Sequence, residues 1–308
     1  MVHIHHIASL DLPELAPYRT LKRSAEHELL GLFVTEGDKV VLDLLASRFA
    51  VVSLLVPPER LTEFETLARA RPEADIALYV CPKKILRELV GFEIYQGVLA
   101  IGKIPAPTSL AEILAATADK HSRPRFFAAM DGLGNAENVG VLLRNCAALG
   151  VQALIAGETC SSPYVRRSVR NSMGAVFKMP VVELGRKQER RDAKVITLVE
   201  TLGALRAAGV RCVAAHPSPE GKTLWQADFT GDVCVVLGSE GDGLSPEVLA
   251  ACDEAVSIPM ANAIDSLNVG NAAAVFLAEV VRQRQHWSVC ITLLELFFKV
   301  NSPRPTSF

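Results

Sequence analysis

Residues 233–245 read VCVVLGSEGDGLS, a run of five apolar residues that continues directly into a turn with three glycines. An uninterrupted apolar run bounded by turn residues is typical of a strand that is covered on both faces of a parallel sheet. Ligands of open parallel sheets bind outside the carboxyl ends of the strands. Gly238, Gly241 and Gly243 would leave backbone N–H and C=O groups open to a polar ligand. The segment therefore predicts an α/β fold with a binding loop after this strand.

The spacing of these glycines argues against the common phosphate-binding loops. It matches neither G-x-G-x-x-G nor G-x-x-x-x-G-K-[ST], so the binding of a dinucleotide or a nucleoside triphosphate is not supported. Glu240 lies in the turn, where a carboxylate would repel a phosphate and would suit a positively charged ligand. An ordinary strand-to-helix turn, with Ser245 capping a helix that begins at Pro246, explains the segment equally well when it is taken alone.

An upstream segment, NVGVLLRNCAALG at residues 138–150, has the pattern of a capped helix. Asn138 is a suitable N-cap, and Gly150 follows the last apolar position, where a left-handed residue commonly ends a helix. A helical side chain leans towards the preceding turn, so Arg144 would lie over the space left by Gly140. We expect another molecule to approach the backbone there, beside a cation. An ordinary helix with a solvent-exposed arginine is the simpler interpretation of this segment alone.

A third segment, at residues 257–284, reads SIPMANAIDSLNVGNAAAVFLAEVVRQR. It predicts a short strand that ends near Ile258, a polar loop, and a helix that begins near Asn268. Ser266 and Asn268 stand on either side of Leu267 at that helix start, where side-chain oxygens cap free N–H groups. Capping alone would explain both polar residues.

Strand and helix patterns alternate in two separate series along the chain. The first series predicts a small α/β domain over residues 1–105, and residues 106–125, with a weak alanine-rich helix, are interpreted as a linker. The second series, over residues 126–285, predicts a parallel sheet covered by helices on both faces. Residues 286–308 are apolar and then proline-rich, and we assign them no role.

The composition indicates a globular protein of the cytoplasm. The 308 residues are 50% hydrophobic with a formal net charge of −2, so a nucleic-acid partner would have to meet a local basic patch. Seven cysteines without a C-x-x-C pair predict reduced thiols, not a zinc site or disulfides. We expect no secretory leader and no membrane association, since apolar stretches fall short of the roughly 18 residues that span a bilayer. We also predict no metal, because three histidines near a frayed terminus (His3, His5 and His6) are more simply incidental.

Taken in order, the three segments carry the motifs N-x-G-x-x-x-R, L-G-x-E-G-x-G-L, and I-P-M followed by S-L-N-V. This combination resembles the SpoU (TrmH-like) family of RNA ribose 2′-O-methyltransferases, over residues 126–285. The first domain also resembles the substrate-binding module of that family, through LFVTEGDKVVLDLLAS at residues 32–47 and YQGVLAIGKIP at residues 95–105. Agreement at all these places in one order is very improbable by chance.

The resemblance implies a C-terminal α/β methyltransferase domain with a deep trefoil knot, preceded by a small α/β substrate-binding domain. It implies methyl transfer from S-adenosylmethionine to a ribose 2′-hydroxyl of structured RNA, with ribosomal RNA favoured over transfer RNA. The family usually forms homodimers whose active site is close to the subunit interface. A non-catalytic RNA-binding relative is the alternative from another class. An enzyme acting on a small molecule would leave the first domain without a purpose.

The roles of family residues transfer to this chain position by position. Arg144 matches the catalytic arginine, and the residues that would surround the reaction centre are Asn138, Glu240, Ser266 and Asn268. The residues that match cofactor-binding positions or their apolar neighbours are Leu237, Gly238, Ile258, Met260 and Leu267.

Two chemical roles remain open for Arg144. It would be an awkward base, because a guanidinium holds its proton very tightly. Bidentate hydrogen bonding to a neighbouring phosphate, with stabilisation of the developing alkoxide, is chemically easier. Cys146 follows on the same predicted helix, and we interpret it as a small buried residue in place of the family's usual alanine, not as a nucleophile.

A basic cluster lies between Cys160 and Arg191, with eight basic residues against two acids. Three of its arginines fall within one and a half helical turns and could contact successive phosphates of RNA. A solvated helical face is the simpler explanation for any one of them. The predicted RNA-binding arginines are Arg166, Arg167 and Arg170, and the other basic residues of the cluster are Lys178, Arg186, Lys187, Arg190 and Arg191.

Overall fold

The computed structural model describes most of the chain. The described residues are 1–21, 23–90, 97–119, 123–185, 196–217, 221–262 and 264–284. Four residues of the basic cluster (Arg186, Lys187, Arg190 and Arg191) and the segment 286–308 lie outside them. Within the described ranges, no helix has both the length and the apolar composition needed to cross a bilayer.

The described part of the chain forms twelve strands and eleven α-helices, with short 3-10 helices between some of them. The strands are β1 (Val2–His6), β2 (Leu32–Glu36), β3 (Val51–Val56), β4 (Ile76–Val80), β5 (Leu99–Lys103), β6 (Phe126–Met130), β7 (Ala153–Ala156), β8 (Val181–Glu183), β9 (Arg211–Ala215), β10 (Lys222–Thr223), β11 (Val233–Leu237) and β12 (Glu254–Ser257). The helices are α1 (Ala16–Arg19), α2 (Ser24–Leu29), α3 (Asp38–Leu45), α4 (Leu61–Arg69), α5 (Lys83–Val90), α6 (Leu110–Ala116), α7 (Ala136–Ala148), α8 (Arg166–Asn171), α9 (Leu198–Ala207), α10 (Pro246–Ala251) and α11 (Val269–Gln283).

The first domain contains a mixed five-stranded sheet in the order β1-β4-β3-β5-β2. Strands β1, β4 and β3 run parallel, and β5 is antiparallel to both of its neighbours. The expectation that the chain start is frayed is wrong, because residues 2–6 form the edge strand β1. His3 Nε2 lies 3.0 Å from a carboxylate oxygen of Asp75, and the ring of His5 stacks on Tyr79. These cross-strand contacts give the histidines a structural role.

The second domain contains seven strands that all run parallel, in the order β10-β12-β9-β11-β6-β7-β8. The prediction of a parallel sheet is confirmed, and β6 and β11 are buried along their whole length. Phe126 and Met130 of β6 share a core with residues of α7 and α11, whereas Phe127 shares one with residues of α9. Helices therefore cover both faces, and the carboxyl ends of β6 and β11 lie side by side at the centre of the sheet.

Helix α7 packs between α8 and α11 through two glycines. A Cβ atom on Gly140 of α7 would lie 2.5 Å from the carbonyl oxygen of Ser168 in α8. A Cβ atom on Gly270 of α11 would lie 2.6 Å from Cγ1 of Val141 in α7. The space over Gly140, which we expected another molecule to use, is therefore filled by the protein's own helix α8. Both glycines are needed because the helices approach so closely there.

The ends of α7 and α11 determine where their polar side chains lie. Asn135, and not Asn138 as we expected, is the N-cap of α7, and its side-chain oxygen accepts a backbone N–H at 2.9 Å. Asn138 therefore lies in the first turn of α7 and is buried. The other predictions hold: Gly150 after α7 has a φ of +76°, and the Asn268 side chain caps α11 through the N–H of Gly270 at 2.9 Å.

The two domains share one hydrophobic core where α8 lies against β2. Phe33 and Phe49 of the first domain pack against Tyr164 and Phe177 of the second, with ring centroids 5.2 to 6.3 Å apart. Aromatic pairs of this kind contribute about 0.5–1.5 kcal/mol each beyond the burial of their surface. The first domain is therefore fixed against the second by packing, and not only by the chain that joins them.

The close approach of α8 predicts opposite effects for the same substitution at two helical glycines. Gly140→Ala should lower the free energy of unfolding by about 1–3 kcal/mol, because overpacking forces α8 away from α7. At Gly203 in α9, no atom lies within 4 Å of the position that a Cβ would take. Gly203→Ala should therefore leave stability unchanged or raise it by roughly 0.5–1 kcal/mol, since alanine loses less backbone entropy in a helix. Urea unfolding of both variants measures the difference, and equal effects of the two would contradict the packing described here.

Candidate functional site

The loop after β11 closes on itself. Ser239 N donates to the carbonyl oxygen of Gly243 at 2.9 Å, and Gly243 N donates back to the carbonyl of Ser239 at 3.2 Å. A Cβ on Gly238 would lie 2.2 Å from the carbonyl carbon of Gly243, so only glycine fits at the start of this loop. Gly238 therefore makes room for the loop's own backbone, whereas no atom lies within 4 Å of a Cβ position on Gly241. The glycine-rich segment is a rigid turn and not merely a flexible connection.

Asp131 holds both ends of this loop, and sequence reasoning missed it. Its backbone N–H donates to the carbonyl oxygen of Leu237 at 2.9 Å, immediately before the loop. Its carboxylate accepts hydrogen bonds of 2.8 Å from both the backbone N–H and the hydroxyl of Ser245, at the end of the loop. The Ser245 side chain therefore binds Asp131 and makes no side-chain cap to α10, so the alternative of an ordinary capping serine is wrong. A carboxylate placed directly after the fully buried strand β6 was the signal in the sequence.

Three of the predicted catalytic residues meet in one place, which we call the polar cluster (Asn138, Glu240 and Asn268). The Asn268 Nδ2 donates to Asn138 Oδ1 at 3.3 Å and also to Glu240 Oε1. Since Asn268 Oδ1 caps α11, its amide orientation is determined by three hydrogen bonds. The cluster joins residues 130 and 28 positions apart in the chain. It links the starts of α7 and α11 to the loop after β11.

The other two predicted catalytic residues lie outside this hydrogen-bonded group. Within the described residues, neither Arg144 nor Ser266 makes a hydrogen bond to the polar cluster, and both are exposed. Arg144 lies instead in a groove of about 520 Å³ between α7 and α8, which we call the α7–α8 groove. The residues that line it are Val141, Arg144, Asn145, Arg170, Asn171 and Met173. Asn145 also donates to the carbonyl oxygen of Gly270 at 2.7 Å, which ties this part of α7 to α11.

The five predicted cofactor residues lie at the carboxyl edge of the parallel sheet, at the end of β11 and on the loops after β11 and β12. Leu237 is buried at the end of β11, and Gly238 begins the first loop. Ile258 follows β12 and packs partly against the core. Met260 and Leu267 are each 38% exposed although they are apolar. The polar cluster connects the two loops through its Glu240–Asn268 hydrogen bond.

The three predicted RNA-binding arginines have different surroundings. Arg166 is buried apart from 15% of its side chain, and its Nη2 lies 2.6 Å from Oε2 of the buried Glu36 in β2. Its guanidinium therefore joins the two domains and is not available to contact a phosphate, which corrects our expectation for this residue. Arg167 is exposed, and Arg170 is 51% exposed with its Nη1 4.0 Å from Glu36 Oε1. Lys178, also in the basic cluster, pairs with Asp43 of the first domain at 2.8 Å.

The cysteines of the described residues are free thiols, and five of the six are buried. Cys146 is fully buried in α7, and burial raises the pKa of its thiol far above the ordinary value. Burial likewise raises the pKa of Cys160 to about 11. Thiols with such pKa values are not nucleophiles at neutral pH, so Cys146 is the small buried residue that we predicted.

Comparison with known proteins gives a family for this arrangement. The model of the SpoU rRNA methylase family matches residues 125–278. An uncharacterized tRNA/rRNA methyltransferase of Mycobacterium tuberculosis is 30% identical over 296 residues, which cover 92% of this chain and 93% of the relative. A second one from the same species is 33% identical over 277 residues, covering 87% of this chain and 78% of the relative.

Solved structures share the fold over both domains. The SpoU methyltransferase AviRb from Streptomyces viridochromogenes, in complex with the cofactor AdoMet, superposes with a TM-score of 0.71 at 27% identity, covering 88% of this chain and 98% of that one. An AdoMet-bound rRNA methyltransferase from Sinorhizobium meliloti has a TM-score of 0.73 at 23% identity, covering 91% and 98%, and supports the fold alone. Because the family model spans half of the chain and the sequence relatives extend across its first domain, this protein belongs to the SpoU rRNA methylase family.

Proposed function

We propose that this protein uses S-adenosylmethionine to methylate a ribose 2′-hydroxyl of structured RNA. The observation that carries the proposal is the polar cluster. It unites one residue from each of the three motif segments at the carboxyl edge of the sheet, where ligands of such sheets bind. Membership of the SpoU family supports RNA as the methyl acceptor, since the curated relatives are named tRNA/rRNA methyltransferases.

The two loops that bear the predicted cofactor residues suit S-adenosylmethionine. Met260, Ile264 and Leu267 leave 38%, 57% and 38% of their surface exposed in the loop before α11, which offers apolar contacts to an adenine ring. Glu240 places a carboxylate beside them, which favours a ligand with a positive charge. When bound, S-adenosylmethionine supplies a methyl group on a positively charged sulfur that an oxygen nucleophile can attack. The binding of AdoMet by AviRb, a relative by structure, agrees with this fit.

Within this site, Asn268 acts by positioning. Its oxygen is used by the helix cap, so its two amide hydrogens point to Asn138 and Glu240. The carboxylate of Glu240 is thereby held in one orientation at the loop after β11, where it can accept a hydrogen bond from a ribose hydroxyl. Most of the rate gain in such a transfer comes from alignment of the reacting groups, and a rigid cluster supplies that alignment.

Arg144 serves the reaction as a cation. A guanidinium offers N–H donors and no acceptor, so an arginine is suited to hold an anion and not to act as a base. It binds a phosphate next to the target ribose and stabilises the negative charge that develops on the attacking oxygen. Its exposed position in the α7–α8 groove leaves it accessible to an RNA backbone. Ser266, exposed in the loop before α11, is proposed as a further neighbour of the reaction centre.

Five finer features belong to the same proposal. We favour ribosomal RNA over transfer RNA because a separate α/β domain is packed rigidly beside the site and can contact a large substrate. The site would form within a deep trefoil knot, as the resemblance to the SpoU family implies. We further propose a homodimer and a cytoplasmic location. The exposed Arg167 and Arg170 would contact RNA phosphates.

A non-catalytic RNA-binding relative is the alternative. The intact polar cluster and the accessible Arg144 favour an enzyme, since mere RNA binding needs neither. Calorimetry separates the two proposals, because only the enzyme has to bind S-adenosylmethionine.

Replacement of Arg144 should affect chemistry and not folding. Arg144→Ala should slow single-turnover methylation at saturating RNA by at least about a hundredfold, the order found when one charge-stabilising donor is lost. The melting temperature and the affinity for S-adenosylmethionine should change little, because the side chain is exposed and is not among the predicted cofactor residues. Arg144→Lys should restore only part of the rate, since an ammonium lacks the planar two-pronged grip. A wild-type rate for Arg144→Ala would remove Arg144 from the reaction centre.

Replacement of Asp131 should weaken cofactor binding, although Asp131 is not among the residues predicted to contact the cofactor. Asp131→Asn removes the charge that accepts two hydrogen bonds from Ser245, so the loop after β11 loses its anchor. We expect the dissociation constant of S-adenosylmethionine to rise by about tenfold or more, in line with roughly 1.5–3 kcal/mol for hydrogen bonds to a charged group. The same change at the exposed Asp242 of that loop should have no comparable effect. Calorimetric titration of both variants is the measurement, and equal affinities would mean that the loop does not bind the cofactor.

A further inference from the structure

Trp225 differs from the other aromatic side chains in its exposure to solvent. It leaves 61% of its surface exposed, whereas every other Phe, Tyr and Trp in the described part of the chain is buried. Full burial of an aromatic side chain removes about 150–250 Å² of surface from water, so an exposed indole forgoes a large stabilisation. This exposure indicates a contact that the chain does not make with itself.

A hydrogen-bonded turn holds Trp225 in this position. Trp225 is the third residue of a β-turn after β10, in which the N–H of Gln226 donates to the carbonyl oxygen of Thr223 at 3.0 Å. The side-chain oxygen of Gln226 accepts two further hydrogen bonds of 3.0 Å, from the N–H and the hydroxyl of Thr223. The N–H of Leu224 donates to the carbonyl oxygen of Ser257 in β12 at 2.8 Å, and the Leu224 side chain is buried. The indole is therefore presented on an ordered support, which lowers the entropy cost of binding.

The turn lies at the carboxyl edge of the parallel sheet, which also bears the polar cluster. Strand β10 runs parallel to β12, and β12 and β9 separate it from β11. With about 4.8 Å between neighbouring strands, the ends of β10 and β11 are roughly 14 Å apart. The first domain contacts α8, which precedes β8 at the opposite edge of the sheet. An RNA that extends from the first domain across the polar cluster would therefore next meet Trp225.

A nucleobase is the ligand that best suits an isolated indole at this place. Stacking of a base on an aromatic side chain contributes about 1–3 kcal/mol. The exposed neighbours of Trp225 in the same segment, Lys222 and Gln226, are polar, so the segment lacks the apolar core of a typical protein interface. Aromatic side chains stack on the unpaired bases of loops and bulges, because the bases of a continuous duplex are already stacked on each other.

We infer that Trp225 stacks on an unpaired base of the substrate RNA, close to the nucleotide that is methylated. The substrate is accordingly an RNA with a loop or bulge at the methylation site, and not a continuous double helix. Trp225 binds RNA and takes no part in methyl transfer. This inference rests on the proposed function, and it adds a substrate-binding residue at the edge of the sheet that is far from the first domain.

The test measures binding of in vitro transcribed, unmodified ribosomal RNA, with transfer RNA in parallel, to the full chain at several salt concentrations. Trp225→Ala should weaken binding by about tenfold and leave the salt slope unchanged, because stacking neutralises no phosphate. Trp225→Phe should restore most of the affinity, since a phenyl ring also stacks on a base. Single-turnover rates at saturating RNA should stay within about threefold of the wild type, because only substrate binding is lost.

Two controls accompany these variants. Val199→Ala removes an apolar side chain that is 39% exposed on α9, and its RNA affinity should stay within about twofold of the wild type. A fully paired RNA duplex offers no unpaired base, so the wild type and Trp225→Ala should bind it equally well. The affinity for S-adenosylmethionine should be unchanged in all three variants.

Fluorescence tests the same contact with the indole in place, so it stays decisive if Trp225→Ala folds poorly. The sequence contains two tryptophans, Trp225 and Trp287. Trp287→Phe leaves Trp225 as the sole tryptophan, and its emission then reports this position alone. Ribosomal or transfer RNA should quench the emission, whereas the fully paired duplex and S-adenosylmethionine should not.

The outcomes separate the stacking contact from the function. If Trp225→Ala binds both RNAs as tightly as the wild type while the wild type methylates one of them, the stacking contact is wrong and the proposed function stands. A loss of S-adenosylmethionine affinity would assign Trp225 to the cofactor pocket, and a change of oligomeric state with unchanged RNA affinity would assign it to a second copy of the chain. Either result overturns the inference. If the wild type binds neither RNA nor S-adenosylmethionine, the proposed function is wrong, and the stacking contact with it.

Discussion

The hydrogen bonds of Asn268 are the constraint on which the candidate site depends. One side chain caps α11 with its oxygen and reaches Asn138 of α7 and Glu240 of the loop after β11 with its nitrogen. These three segments can meet only because Gly270 lets α11 lie against Val141 of α7. The hydrogen bond from Asn145 to the carbonyl of Gly270 holds the same two helices together. Helix packing and site geometry are therefore parts of one arrangement.

The fold was largely predictable from the sequence, because its signals are local. The apolar run of β11, the αL glycine after α7 and the cap of α11 each depend on a few neighbouring residues, and each prediction was confirmed. Strand β1 was missed because its histidines gain partners only from residues more than 70 positions away, such as Asp75. The cap of α7 was misplaced because Asn135 and Asn138 are equally suitable in composition, and only the backbone decides between them.

The candidate site was predictable as a list of residues, but not as an arrangement. The motifs named Asn138, Glu240 and Asn268, yet nothing local indicates that they share hydrogen bonds. Gly140 was expected to leave room for a ligand, and α8 fills that room, because glycine serves close packing as readily as binding. Arg166 was grouped with its neighbours by spacing, although its partner Glu36 lies 130 residues earlier in another domain. Long-range partners decide which polar residues remain available to a substrate.

The most direct test of the polar cluster is single-turnover methylation by Asn268→Asp. An aspartate at this position can still cap α11, but it can no longer donate to Asn138 or Glu240, and its charge repels that of Glu240. We predict a melting temperature within a few degrees of the wild type and a rate of methyl transfer to RNA that is lower by at least about a hundredfold. A folded Asn268→Asp variant that methylates RNA at the wild-type rate would contradict the account, because the arrangement held by Asn268 would then not be the catalytic centre.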